Sequence, residues 1–376
     1  MPFREASAMD QKHEFVRLAL AEGANVTELC ARYGIGRTCA HKLLTRYRSA
    51  GEAGLAERSR RPHASPGQCS AATEAAVIAL RQRHPAWGGR KIAKRLEGQH
   101  DVAASTVTGI LRRNGFELGR FGGGAKAFTR FEHKAPNDLW QMDFKGHVPM
   151  REGRLHPLTV LDDHSRFSLL IGASDDETTE TVQAHLIKAF RRYGLPVRMA
   201  MDNGAPWGDS AGQPFTRLTV WLIETGIAIT HSRPCHPQTL GKDERFHRSL
   251  KAEVLEGRVF DSLGKAQAAF DDWRQVYNQE RPHEAIGMAV PISRYSPSQR
   301  SYAEPPKDFE YAPGDIVRKV QQKGFTSFKG RLVKLPKAFR GKTVAFRPTA
   351  TDGIFETYFR HQFITTINFT TPIAEA

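Results

Sequence analysis

The sequence predicts a multidomain chain: all-α helix-turn-helix units in the N-terminal third, an α/β domain in the middle, and a small β-barrel of the SH3-like kind at the C-terminal end. Three observations predict it. At 376 residues the chain is too long for one ordinary core. The apolar period changes from helical to alternating near Asn137. Charge follows the same borders: of a net +15, residues 1–130 hold 22 Lys+Arg against 11 Asp+Glu, residues 131–300 hold 21 against 22, and residues 301–376 hold 12 against 7. Basic ends around a nearly neutral middle point to ends that grip a polyanion and a middle that keeps its acids for another purpose.

Other classes fall away on composition. The four cysteines, Cys30, Cys39, Cys69 and Cys235, form no C-x-x-C pair, which speaks against a disulfide framework and a structural zinc site. No run of 18 apolar residues occurs and "MPFREASAMD" lacks the apolar core of a signal peptide, so a cytoplasmic, nucleoid-associated protein with no membrane partner is expected. No glycine loop matches a Walker A pattern, so no nucleotide cofactor is expected either.

Residues 1–55 read as a first helix-turn-helix. Helical patterns in "DQKHEFVRLALAEG", "VTELCARYG" (capped by Thr27) and "GRTCAHKLLTRYRSAG" stop at Gly23, Gly34 and Gly51. The third helix of such a unit enters the major groove, which aims Arg37, Thr38, His41 and Lys42 at DNA while Leu44 and Tyr47 face the core. Residues 56–70 form a basic linker whose Arg58, Arg60 and Arg61 can follow a groove or backbone. A second, winged helix-turn-helix is expected at 71–120, its last helix capped by Ser105, with Arg90, Lys91, Lys94 and Arg95 as DNA contacts. A glycine-bearing linker follows at 121–136.

The middle domain, 137–298, opens on "LWQMDFKGHV", where Trp140, Met142 and Phe144 alternate with Gln141, Asp143 and Lys145. Two strands flank Asp162-Asp163, read as turn and framework residues. A helix with Val182, Leu186, Phe190 and Tyr193 on one stripe leads to a strand ending at Asp202, before Asn203-Gly204. Strand ends are where sites form in open α/β sheets. In the helix "GKDERFHRSLKAEVLEG", Phe246, Leu250 and Val254 share a stripe, while Glu244, Arg248, Lys251 and Leu255 lie on the other side. Arg248 and Lys251 there suit phosphates, and a carboxylate among them calls for a divalent cation.

The segments "WQMDF", "DDHSR", "DNG", "RPCHPQTLGKDERFHRSLK" and "YNQERPHEAIG" resemble, in order, the integrase core of DDE transposases, the insertion-sequence enzymes related to retroviral integrases. "RSRRPHASP" and "HPAWGGRKIAKRL" are similar to DNA-binding regions of the same bacterial enzymes. The resemblance implies an RNase H-like core with a mixed five-stranded sheet, and maps the family's three acids, its catalytic and metal-holding residues, to Asp143, Asp202 and Glu244. They are separated by 58 and 41 residues. Glu224 lies closer to Asp202, but Glu244 sits in the matching motif. Three oxygen ligands suit Mg²⁺ or Mn²⁺, with two ions per site expected. His236 and His247 are read as contacts to DNA or to neighbouring side chains.

Residues 305–376 alternate in short runs with no helix, the expected barrel. The function implied is a DNA transposase that binds terminal inverted repeats, cleaves DNA and joins the 3′-OH to a target, acting as a dimer or larger assembly on double-stranded DNA. The alternative is a catalytically silent, transposase-derived DNA-binding regulator.

Overall fold

The computed structural model describes residues 7–57, 67–117, 132–209, 213–232 and 241–370, which form two compact units divided between Cys69 and Ser70. Arg58, Arg60, Arg61, Cys235 and His236 lie outside the described residues. In the first unit α1 (Ala8–Ala19), α2 (Val26–Arg32) and α3 (Arg37–Ala50) close over Phe15, Val16, Cys30, Leu43, Leu44 and Leu55. Asn25, rather than Thr27, caps α2, because its side chain reaches the free amides of both Thr27 and Glu28, at 3.1 and 3.3 Å.

The second unit begins with α4 (Ala71–Arg83), α5 (Gly89–Leu96) and α6 (Ala104–Arg113). Gly89 lets α5 and α6 touch: a Cβ there would stand 2.5 Å from the Ala104 carbonyl oxygen. Ser105 falls inside the first turn of α6, whose cap is Ala103 with no side-chain bond. Among the described residues no strand lies between 67 and 117, so the expected wing is not formed there.

The middle of the chain builds a five-stranded sheet. Strand β1 (Leu139–Phe144) is followed by a short ribbon, β2 (Val148–Pro149) with β3 (Arg154–Leu155), then by β4 (Leu158–Asp162) and β5 (Ser168–Gly172). Helix α7 (Thr179–Tyr193) crosses to β6 (Arg198–Met201), and α8 (Arg217–Glu224) to β7 (Ala228–His231). The order is β5-β4-β1-β6-β7, antiparallel from β5 to β1 and parallel from β1 to β7, the mixed sheet expected.

Both faces of this sheet are covered. Trp140, Met142, Val160 and Met199 pack against Val182, Leu186 and Phe190 of α7 and Leu222 of α8. Leu161 and Ile171 pack on the other side against α9 (Gly241–Leu250) and α10 (Leu263–Gln279), through Phe246, Leu250, Phe270 and Trp273. A π-helical turn, Lys251–Leu255, continues α9 and rotates Leu255 into that core, 7% exposed, where an unbroken α-helix would leave it beside Glu244.

The C-terminal strands are β8 (Ile316–Lys319), β9 (Phe325–Phe328), β10 (Arg331–Lys334), β11 (Thr343–Pro348), β12 (Ile354–Phe359) and β13 (Gln362–Asn368). They form an open antiparallel sheet, β13-β12-β11-β8, and a separate β9-β10 hairpin, not the closed barrel expected. Covering replaces closure as the way to bury the apolar face: Phe328 of the hairpin stacks on Phe346 with ring centroids 4.1 Å apart, and Phe339 packs on Phe215 just before α8. No described helix is long and apolar enough to cross a membrane.

Candidate active site

Strands β1 and β6 are parallel neighbours, with Gln141 opposite Ala200. Two residues further along the same register, Asp143 meets Asp202 at the carboxyl ends of both strands. Asp202 is also held by its turn, its Oδ1 accepting the Gly204 amide at 3.0 Å, while His231 donates from Nδ1 to its carbonyl oxygen at 2.7 Å. Burial first, and the nearby Asp202 second, push the Asp143 carboxyl up to about 7. Two carboxylates repelling each other at strand ends form a hard-oxygen donor pair whose repulsion and burial outweigh the nearby Lys145 cation.

His247 of α9 closes over Asp143 from the other side. The single proton of Thr159 Oγ1 goes to the Asp143 carbonyl oxygen at 2.9 Å, so His247 Nε2 donates to Thr159 at 2.7 Å. Its Nδ1 then faces Asp143 Oδ2 at 3.8 Å as a bare lone pair. Burial and the nearby Lys145 hold this imidazole near 3, so the contact is not an ion pair at neutral pH.

The first turn of α9 carries three charged residues in three different settings. Lys242 reaches back to Asp163, which is 1% exposed and also accepts Gln141 Nε2 at 2.9 Å and the His133 amide at 2.9 Å. Asp243 is fully buried, and neither of its carboxylate oxygens has a partner among the described residues. Glu244 points outward, its side chain 73% exposed, and pairs with Arg248 at 3.8 Å. Lys251 is exposed on the same side. Glu224 is engaged elsewhere, by Lys342 of the C-terminal sheet.

Among the described residues no three His, Cys, Asp or Glu side chains converge on one point. Asp143 and Asp202 fit a Mg²⁺ or Mn²⁺ ion by donor chemistry and by their mutual repulsion. Glu244, in this conformation, adds nothing to them.

On α3, Arg37, Thr38, His41 and Lys42 are all exposed and line one shallow groove with Thr45 and Arg46. On α5 the expected contacts divide. Lys94 and Arg95 are exposed. Arg90 leans to Glu284 at 3.8 Å, and Lys91 is half-buried beside Arg281, Glu253 and Glu284 of the middle domain.

Comparison with known proteins finds domain models along much of the chain. An integrase core domain matches residues 133–237 and a second integrase core model residues 225–291. The C-terminal domain of IS481 family transposases matches 315–374, a helix-turn-helix domain 11–63, and a homeodomain-like domain 39–111. An uncharacterized 39.2 kDa protein of insertion element IS476 from Xanthomonas euvesicatoria is 27% identical over 72% of this chain and 78% of its own length. A 31.7 kDa protein of insertion element IS407 from Burkholderia multivorans is 28% identical over 47% of this chain and 61% of its own. Together these matches support an insertion-sequence transposase of the integrase superfamily. Among solved structures, the HTLV-2 integrase catalytic core domain in complex with magnesium aligns with 43% of this transposase and 99% of its own chain, at 16% identity and a TM-score of 0.33.

One buried acid of this region, Asp243, is not singled out by the sequence argument, while Asp162 and Asp163 are read as turn and framework residues. Both serve as the turn and framework residues expected: Asp162 is 0% exposed and accepts the Asn137 and Ser165 amides at 2.7 and 2.8 Å, and Asp163 anchors α9. His247 does contact neighbouring side chains, as expected. Asp243 had a signal: it precedes Phe246, His247 and Leu250 by three, four and seven residues, which puts it on the buried stripe.

Proposed function

We propose that this transposase binds the terminal inverted repeats of its mobile element, cleaves DNA there and joins the freed 3′-OH to target DNA, with Asp143, Asp202 and Glu244 as its catalytic acids. The observation that carries the reading is the Asp143–Asp202 pair at the ends of adjacent parallel strands, one carboxyl forced up to about 7 by burial and by the other. A regulator that only bound DNA would have no use for such a pair and would be more stable without it.

Asp143 and Asp202 would hold the divalent cations, two per site, whose chemistry when bound is to activate the attacking water or 3′-OH and to stabilise the leaving 3′ oxygen. The chain's own part is positioning. β1 and β6 fix the two carboxylates, and His247 and Thr159 lock the backbone and one flank of Asp143. Arg248 and Lys251 line the exposed side of α9, where DNA phosphates would draw Arg248 off Glu244 and free that acid. The exposed residues of α3, with Lys94, Arg95 and the arginines at 58, 60 and 61, would grip the ends. Joining two ends requires two sites, hence a dimer or larger assembly on DNA.

The test is Mg²⁺-dependent strand transfer with oligonucleotides copied from the inverted repeats flanking the gene, comparing the natural protein with Asp202→Asn. Joined product from the natural protein alone is expected. Tight binding of the ends by both with product from neither would replace the enzyme by the regulator.

A further inference from the structure

We propose that Asp163 is a positioning residue of the joining reaction: through Lys242 it holds the first turn of α9, which carries Glu244, in register with the strand that carries Asp143. The inference rests on the reading of Asp143 and Glu244 as catalytic acids. It starts from one buried oxygen shared by two donors. Oδ1 of Asp163 accepts Gln141 Nε2 at 2.9 Å and the Lys242 ammonium. Gln141 stands two residues before Asp143 on β1, and Lys242 stands two residues before Glu244 on α9. One carboxylate therefore brackets the strand of the first acid and the helix turn of the third.

Local forces do not account for this arrangement. Free amides make the N-terminal turn of a helix positive, so a lysine there is unfavourable unless it has an anion to meet. Lys242 lies in that turn, yet its side chain runs inward, 20% exposed, and its ammonium also approaches the Asp163 carbonyl oxygen at 3.5 Å. Two arginines of the same helix do the opposite: Arg245 and Arg248 stay exposed and meet Glu284 and Glu244 at 3.9 and 3.8 Å. Asp163, 1% exposed, takes the His133 amide on Oδ2 at 2.9 Å, so both its oxygens are engaged. Drawing two charges out of water gains little stability, since desolvation offsets their attraction. What the pair does supply is a fixed geometry.

The place of the anchor shows what it fixes. His247, further along α9, is tied to Thr159 of β4 at 2.7 Å. That tether alone would let the first turn swing about it, and the Lys242–Asp163 pair is the second point that stops the swing. Glu244 points outward beside Arg248, so it can serve the strand ends only if its side chain turns about a backbone that stays in place. Asp163 keeps that backbone in place without touching the reacting atoms.

The experiment uses the full-length chain with pre-cut inverted-repeat oligonucleotides and Mg²⁺, and compares the natural protein with Lys242→Met, Asp163→Asn, the double variant and Lys242→Arg. Either of the first two changes is expected to lower kcat for joining by about tenfold or more, with KM and end binding unchanged. The double variant should lose no more than one change does, and Lys242→Arg should keep most of the rate. Hydrogen exchange without DNA gives a readout besides activity: amides of α9 should exchange faster in Lys242→Met and Asp163→Asn, and those of α10 at the natural rate. Full kcat in Lys242→Met, or losses that add in the double variant, would overturn the role. Weaker end binding in Lys242→Met alone, with the salt slope reduced by about one, would do the same by making Lys242 a phosphate contact. Exchange raised equally in α10 would reduce the pair to general stability. Should Asp163→Asn fail to fold, Lys242→Met against Lys242→Arg still decides the question. No product from the natural protein, with α9 loosened as expected in the variants, would instead remove the transposase reading and leave Asp163 a structural anchor only.

Discussion

Asp143 shows how a single residue ties stability to function. Its carboxyl titrates near 7 in the folded chain against 3.8 for the free group, so between those values the folded state holds a proton that the unfolded state has released. Stability from this group is therefore full below about pH 4 and is lost as pH rises through 7, at about 1.4 kcal/mol per pKa unit before solvent screening. In chelator, urea unfolding of the natural protein should show falling stability from pH 4.5 to 8, shared with the buried Asp162 and Asp243, which burial shifts the same way. Asp143→Asn should flatten that fall, and Mg²⁺ at pH 7.5 should stabilise the natural protein but not the variant. Parallel pH profiles for the two would refute the shift. Asp143 and Asp202 were legible in the sequence because alternation and strand ends fix where such residues point. Asp163 and Lys242 were not, since their pairing spans 79 residues and no local pattern announces it.

At the level of elements, α3 and α5 carry similar basic sequences and meet different surroundings. The residues of α3 opposite Ala40, Leu43 and Leu44 stand in solvent, as its apolar stripe requires. On α5 the stripe buries Ile92 and Leu96, but it says nothing about a second surface, and the catalytic core takes up Lys91. Burial lowers that ammonium to about 8, so its cost is fully present below pH 8 and is relieved as pH rises towards 10.5. Arg37→Ala should weaken binding of the element ends by about 1–3 kcal/mol, or reduce the salt slope by about 1 if its partner is a phosphate. Lys91→Met should leave end binding unchanged, raise stability at pH 7, and remove the gain in stability between pH 8 and 10. Fluorescence anisotropy across a salt series and urea titrations measure these. A loss of end binding in Lys91→Met equal to that in Arg37→Ala would return Lys91 to the DNA-contacting set.

The described residues form three main hydrophobic cores of unequal reach. Periodicity predicted most of its helices and strands, but neither the β1-β6 pairing, made between segments more than fifty residues apart, nor the open C-terminal sheet could be read locally. Closure depends on what else covers an apolar face, and here the catalytic domain does it: Phe339 packs on Phe215 with ring centroids 4.9 Å apart, Arg360 donates to the Glu224 carbonyl oxygen at 2.7 Å, and the Ile229 amide donates to Gln362 at 3.0 Å. One continuous core therefore runs from α7 to β12, whereas Phe15, Leu44 and Leu55 belong to a separate core in the first unit. The chain's five tryptophans, Trp87, Trp140, Trp207, Trp221 and Trp273, all fall in the second unit, so intrinsic fluorescence reports that unit and far-UV circular dichroism reports both. Phe339→Ala should cost about 3–5 kcal/mol and move the tryptophan transition, catalytic domain included. Phe15→Ala should cost a similar amount, about 3–5 kcal/mol, and shift part of the dichroism transition while the fluorescence curve stays in place. If Phe339→Ala left the tryptophan transition unmoved, the C-terminal sheet would be an appendage and not a wall of the catalytic core.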